Sequence, residues 1–140
     1  MASTVHCSIV SAEEEIFSGT VEMVVATGTE GELGILPGHT PLLSGVQPGP
    51  VRLRLEGGEE EVFFASGGYI EIQPHAITIL ADTAIRADDI DEAAAVEAQQ
   101  KAQRELAENR SEIDFARVNS DLAEQAAMLR TIRKHREQKR

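Results

Sequence analysis

Apolar and polar residues alternate with a period of two from Val5 to Asp82, and glycine or proline cuts the alternation every few residues. Successive side chains of a strand point to opposite faces, so a period of two predicts strands with one face inward. "VHCSIV" sets Val5, Cys7 and Ile9 against His6 and Ser8, and "TVEMVVA" places Val21, Met23 and Val25 together. In "VRLRLEGGEEEVFFA", Val51, Leu53 and Leu55 face in and Arg52 and Arg54 face out, with Gly57-Gly58 at the turn. Glycine supplies the positive φ that a tight hairpin requires. A second hairpin, "YIEIQPHAITIL", turns at Pro74-His75. Short strands at this spacing, with no helical period between them, predict an antiparallel β-sandwich or flattened barrel.

The period changes at "DDIDEAAAVEA" (88–98). Asp88 is positioned to cap a helix, with acids through the first turn where the helix dipole favours them. Ile90, Ala94, Ala98, Ala102 and Leu106 then recur every four residues as a narrow apolar stripe. "ENRS" interrupts it, and Ser111 with Asp114 restarts a helix in capping-box fashion. Phe115, Val118, Leu122, Ala126, Leu129 and Ile132 carry the second stripe. The expected architecture is a sandwich over residues 1–87 and an antiparallel two-helix hairpin over 88–140, an α+β chain in two parts. Ten alanines fall between Asp88 and Arg140. Leu or Ile in each place would contribute about 1–2 kcal/mol more on burial. A hairpin so thinly packed is marginal alone, and a rigid sheet joined to a weakly held helical arm predicts a switch.

Composition sharpens the division. All 11 glycines and all 5 prolines lie between Gly19 and Pro74. Residues 1–87 hold 12 acids and 3 bases, net −9, whereas residues 88–140 hold 12 acids and 10 bases, net −2. The total of −11 excludes general nucleic-acid binding, which depends on neutralising phosphates. Yet six basic residues and only Glu137 as an acid crowd positions 130–140. Cations at a helix C-terminus suit the dipole, but six exceed that need, and the pattern predicts an acidic protein partner. No stretch is apolar for long enough to span a bilayer, and the start turns acidic by Glu13 instead of forming a leader. The expectation is a protein kept inside the cell that reaches a membrane only through a partner. Cys7, the single cysteine, is expected to be a buried strand thiol.

Candidate chemistry is sparse. "GTEGELGILPGHTPLL" (28–43) lacks the Lys-Ser/Thr of a phosphate loop, and no helix pattern follows it. His39 has no Cys or second His at ligand spacing, so no metal site is expected. A loop shaped by glycine and proline on a rigid sheet is suited to a protein contact. The carboxylates are scattered, and no Ser or His stands in a nucleophile-elbow context, so no catalytic residue and no cofactor is expected. A ligand-binding β module with a helical tether, or a small hydrolase with a triad assembled in space, stays open at this point.

The stretches "SAEEEIFSG" (11–19), "GTEGELGILPGHTPLL" (28–43) and "SGGYIEIQPHAITILADTAIRADDIDEA" (66–93), with the paired helices, resemble the epsilon subunit family of bacterial F-type ATP synthases, the proteobacterial branch in particular. The resemblance covers essentially the whole chain. It implies a sandwich of about ten strands at the foot of the central stalk, against the gamma subunit and the c ring. Glu32 and His39 fall in the loop that such proteins use for rotor contacts. The helices are implied either to fold beside the sandwich or to extend into the head. There the basic residues, Arg130, Arg133, Lys134 and Arg136 here, face an acidic segment of the beta (and alpha) subunits and inhibit hydrolysis. The protein would lie at the cytoplasmic face of the inner membrane, peripheral through the complex. The family's nucleotide motif, Ile/Leu-Asp-x-x-Arg-Ala, aligns with Ile90, Asp91, Glu92, Ala93, Ala94 and Ala95. Ala94 stands where the arginine would be, so ATP binding is expected to be weak or absent.

Overall fold

A computed structural model describes residues 3–108 and 112–138. The chain divides into two compact units, Met1–Arg86 and Ala87–Arg140. Among the described residues the first unit holds nine strands, where the resemblance implied about ten. These are β1 (Val5–Val10), β2 (Glu15–Gly28), β3 (Gly31–Ile35), β4 (Leu42–Val46), β5 (Gly49–Leu55), β6 (Glu60–Ala65), β7 (Gly68–Gln73), β8 (Ala76–Ala81) and β9 (Ala84–Arg86).

Hydrogen-bonded neighbours run β1-β8-β7-β4-β2-β5-β6-β9, β3 lies on β2, and β1 also pairs with β2. Strand β2, 14 residues long, therefore serves both layers of the sandwich. Its first half pairs with β1, Val21 opposite Val5 and Phe17 opposite Ile9, and its second half pairs with β5 and β3. The inward faces close on Cys7, Ile9, Val21, Leu53, Phe63, Ile70, Ile72 and Ile79, all at 0% exposure. That dry centre is the main stabilising feature, since each such side chain contributes about 1.5–3 kcal/mol on burial.

Both predicted hairpins form. Gly57 and Gly58 turn β5 into β6 with φ of 101° and 92°. Pro74 and His75 join β7 to β8, with Gln73 opposite Ala76. Pairing is antiparallel except between β1 and β8, which run parallel with Cys7 opposite Ile77.

The expected face of β2 requires correction. The register against β5 shifts between Val21 and Met23, the signature of a bulge. One extra residue flips everything after it, so Val24 and Ala26 are buried while Met23 and Val25 turn to the outer face. Strict alternation could not foresee the slip.

The second unit opens with a 3-10 turn at Ala87–Asp89, followed by α1 (Glu92–Glu108) and α2 (Glu112–Gln138). The cap of α1 is Asp91, not Asp88. Asp91 Oδ1 accepts from the Ala94 N–H at 3.2 Å, while the 3-10 turn around Asp88 is closed by the Ile90 N–H donating to Ala87 O at 3.3 Å. The α1 stripe is also rotated from expectation. Ala95 and Ala102, seven apart, are buried at 5% and 8%, whereas Ala94 and Ala98 are exposed. Steps of four overshoot a 3.6-residue turn by about 40° each, so a stripe built only from fours walks off its face. On α2, Leu129 and Ile132 are buried as expected, joined by Ala127 and by Thr131, whose Oγ1 donates to Ala127 O at 2.9 Å. Leu122 and Ala126 are half-buried. Ser111, and the side chains of Leu106, Asp114, Phe115 and Val118, lie outside the described residues.

Candidate partner-contact sites

The antiparallel hairpin brings the acidic head of α1 against the basic tail of α2. Arg133 Nε donates to Glu92 Oε1 at 3.4 Å, and Arg136 donates to Glu92 Oε2. His135 Nε2 pairs with Asp88 Oδ1 at 2.9 Å. Glu92 sits in the first turn of α1, and His135 and Arg136 in the last turn of α2. Glu92 and Arg136 are therefore placed where the dipoles of their own helices favour them. The two arginine side chains remain 61% and 58% exposed, so each pair contributes only about 0.2–1 kcal/mol. Arg130 and Lys134 are exposed on the same helix, and Lys139 and Arg140 lie outside the described residues. His135, Asp88 and Glu92 were absent from the sequence-derived site. Opposite charge at the two ends of an antiparallel hairpin was the signal that could have found them.

The nucleotide candidates are differently disposed. Ile90 is 6% exposed and Asp91 is committed to its cap. Ala94 is exposed and presents only a methyl group.

In the sandwich, Glu32 and His39 do not converge. Glu32 is the second residue of β3, beside the β2–β3 turn, with Oε1 3.7 Å from Arg52. His39 lies past the other end of β3, in a loop whose Gly38, at φ 82°, donates its N–H to Pro74 O at 2.9 Å. The His39 ring donates from Nδ1 to Thr40 O at 2.7 Å, which orients it and leaves Nε2 as an acceptor while the ring is neutral.

The structure adds a surface that the alternation concealed. Gly45 lies opposite Tyr69, Tyr69 opposite Leu80, and Leu80 opposite Val10, a row crossing β4, β7, β8 and β1. Tyr69 and Leu80 are 61% and 52% exposed, and Leu43, two residues before Gly45 on the same face, is 68% exposed. Adjacent exposed large apolar side chains mark an interaction surface. Outward positions were expected to be polar, and Tyr69 and Leu80 are the exceptions that could have been read.

Other chemistry is thin. Among the described residues no group of three or more His, Cys, Asp and Glu could hold a metal ion. A shallow hollow of about 180 Å³ lies between Met23, Val25, Arg52, Arg54 and Glu60, below the roughly 300–1,000 Å³ typical of small-molecule sites. It is not formed by the glycine-rich loop. Burial pushes the Cys7 thiol up to about 12. No helix among the described residues is long and apolar enough to cross a membrane.

A model of the family "ATP synthase, Delta/Epsilon chain, beta-sandwich domain" matches residues 4–87. An ATP synthase epsilon chain from Teredinibacter turnerae is 53% identical over 141 residues, covering 100% of both chains. One from Acinetobacter baumannii is 54% identical over 132 residues, 94% of this chain and 95% of the relative. A chain in the Euglena gracilis mitochondrial ATP synthase (OSCP, F1 and c-ring) superposes with a TM-score of 0.80 at 20% identity, covering 89% of this chain and 79% of that one. Another, from the central stalk and c-ring of the Tetrahymena thermophila mitochondrial ATP synthase, gives 0.67 at 13% identity, covering 93% and 97%. At those identities the two structures share the fold. Matched along its whole length at better than half identity, the chain belongs to the ATP synthase epsilon chain family.

Proposed function

We propose that this chain is a non-catalytic central-stalk subunit of a proton-translocating bacterial F-type ATP synthase, coupling the catalytic head to the c ring and restraining ATP hydrolysis through its helices. The observation that carries the reading is the whole-length identity with curated epsilon chains. The sandwich is the attachment unit. Its continuously paired strands and dry core make it stiff, and the row of Tyr69, Leu80 and Leu43 supplies apolar area for the gamma subunit. Glu32 and His39, at opposite ends of β3, serve as separate rotor contacts toward gamma and the c ring.

The helical unit, residues 88–140, is the regulatory arm. Small buried residues on α1, Ala95 and Ala102, bring the helices close but contribute little area each. Arg130, Arg133, Lys134 and Arg136 meet an acidic segment of the beta (and alpha) subunits when the helices extend, and that contact holds the rotor against hydrolysis. Nucleotide takes no part in the free chain, because Ala94 replaces a charged donor. The protein then sits at the cytoplasmic face of the inner membrane, held there by the complex alone. Affinity purification of the tagged chain from the membrane fraction tests the assignment. The expected result is recovery of an F-type ATPase, and a lone monomer carrying a metabolite would contradict it.

A further inference from the structure

The head of α1 offers the tail of α2 what an acidic partner would offer it. Glu92 holds one arginine on each carboxylate oxygen, and Asp88 holds His135 beside them at 2.9 Å. Arg133 and Arg136 are also two of the four cations assigned above to the inhibitory contact. While they share Glu92, the trio carries a net charge of +1 instead of +2, and an outside carboxylate is attracted correspondingly less. We propose that Asp88 and Glu92 form an internal acidic latch, which occupies the arm's cations while the helices lie side by side and must release before the arm can engage an acidic partner. The inference rests on the reading of the arm as inhibitory.

The geometry makes such a latch reversible. Both arginines are more than half exposed, so water and salt compete for them and the pairs are weak singly. Because Glu92 takes both arginines, a single side chain governs most of the contact. Asp88 lies in the 3-10 turn before α1, so its pair with His135 ties the tail of α2 to the approach as well as to the helix.

The test uses the full-length chain as wild type, as Glu92→Gln, and as the charge-matched Glu97→Gln, Glu97 being exposed on the same helix. Backbone hydrogen exchange of α1 is read at about 0.1 M and about 1 M NaCl. At low salt Glu92→Gln is expected to speed exchange about two- to fivefold, the factor that exposed ion pairs carry, while Glu97→Gln does not. High salt is expected to speed exchange in the wild type and to affect Glu92→Gln less. The triple exchange Glu92→Arg, Arg133→Glu, Arg136→Glu is expected to bring back the salt dependence of exchange that Glu92→Gln weakens. Equal exchange in wild type and Glu92→Gln would overturn the latch. Reassembled into the ATPase, Glu92→Gln is expected to deepen inhibition relative to Glu97→Gln. A hairpin that opens in exchange while hydrolysis stays unchanged would overturn the competition. The inhibitory reading of the arm fails separately, if removing residues 88–140 leaves hydrolysis unchanged.

Discussion

Replacing Gly68 by alanine is predicted to cripple the sandwich through one methyl group. Gly68 opens β7 at φ 132°, opposite Ala81 of β8 and Val46 of β4. A Cβ there would stand 2.0 Å from Leu80 O and 3.0 Å from Ala81 Cα and Leu80 C. All three atoms are backbone, so no side chain can swing away, and β8 itself must shift by about 1 Å or more to reach ordinary contact. That strand carries Ile77 and Ile79, both at or near zero exposure, and runs alongside β1. Forcing an L-residue to this φ costs about 1–3 kcal/mol, and overpacking adds about 1–3 kcal/mol. A total near 4 kcal/mol is a large share of the roughly 5–15 kcal/mol that stabilises a domain. In urea, with a slope of about 2 kcal/mol/M, the sheet transition followed by circular dichroism is expected to fall by about 2 M. Gly34→Ala is the control, since its Cβ meets only Met23 Cε, at 3.7 Å, and is expected to move the midpoint by less than about 0.5 M. Equal midpoints for Gly68→Ala and wild type would refute the argument. The same register sets Tyr69 opposite Leu80.

Further outcomes follow from the sequence and the structure. Burial favours the protonated Cys7 thiol, so the native chain is expected to resist a thiol-specific disulfide reagent near neutral pH, reacting only as it unfolds. Since the folded value is raised to about 12, the contribution to stability is complete below the unfolded value near 9. It is lost as pH climbs from there toward 12, at up to about 1.4 kcal/mol per unit, and denaturation titrations of wild type and Cys7→Ala across that range check the difference. The double reversal Arg133→Glu, Lys134→Glu is expected to relieve inhibition of the assembled ATPase in part, more at low salt than at high, as steady-state hydrolysis would show. Calorimetry of the isolated chain with ATP is expected to find weak or no binding, because losing the motif's arginine at Ala94 removes about 1.5–3 kcal/mol, or one to two decades of affinity. Tight stoichiometric binding would contradict it.

The sheet was legible where alternation and turn chemistry agreed. Val51 and Leu53 face inward around Gly57-Gly58, and the chain turns at Pro74-His75, both as expected, because hairpin pairing is local. The bulge after Val21 was not legible, since it answers to β5, about thirty residues away in sequence. The outward row was hidden because Leu43, Tyr69 and Leu80 come from three strands and become neighbours only through register. On the helices, charge was read end by end. The acids at 88–92 have a local explanation in the cap and dipole of α1. Their pairing with the basic tail of α2 follows only when antiparallel topology and opposite charge are taken together. The shift of the cap from Asp88 to Asp91 turns on a single 3-10 turn, which composition does not encode.

The central claim divides the labour, attachment in the sandwich and restraint in the helices, and ending the chain after Ala87 in the assembled, membrane-bound ATP synthase tests it most directly. ATP hydrolysis and ATP-driven proton pumping are measured together on the same vesicles. The account predicts that the shortened chain still assembles and still couples hydrolysis to pumping, while hydrolysis rises above that of the complete complex. Loss of coupling with no rise in hydrolysis would contradict it.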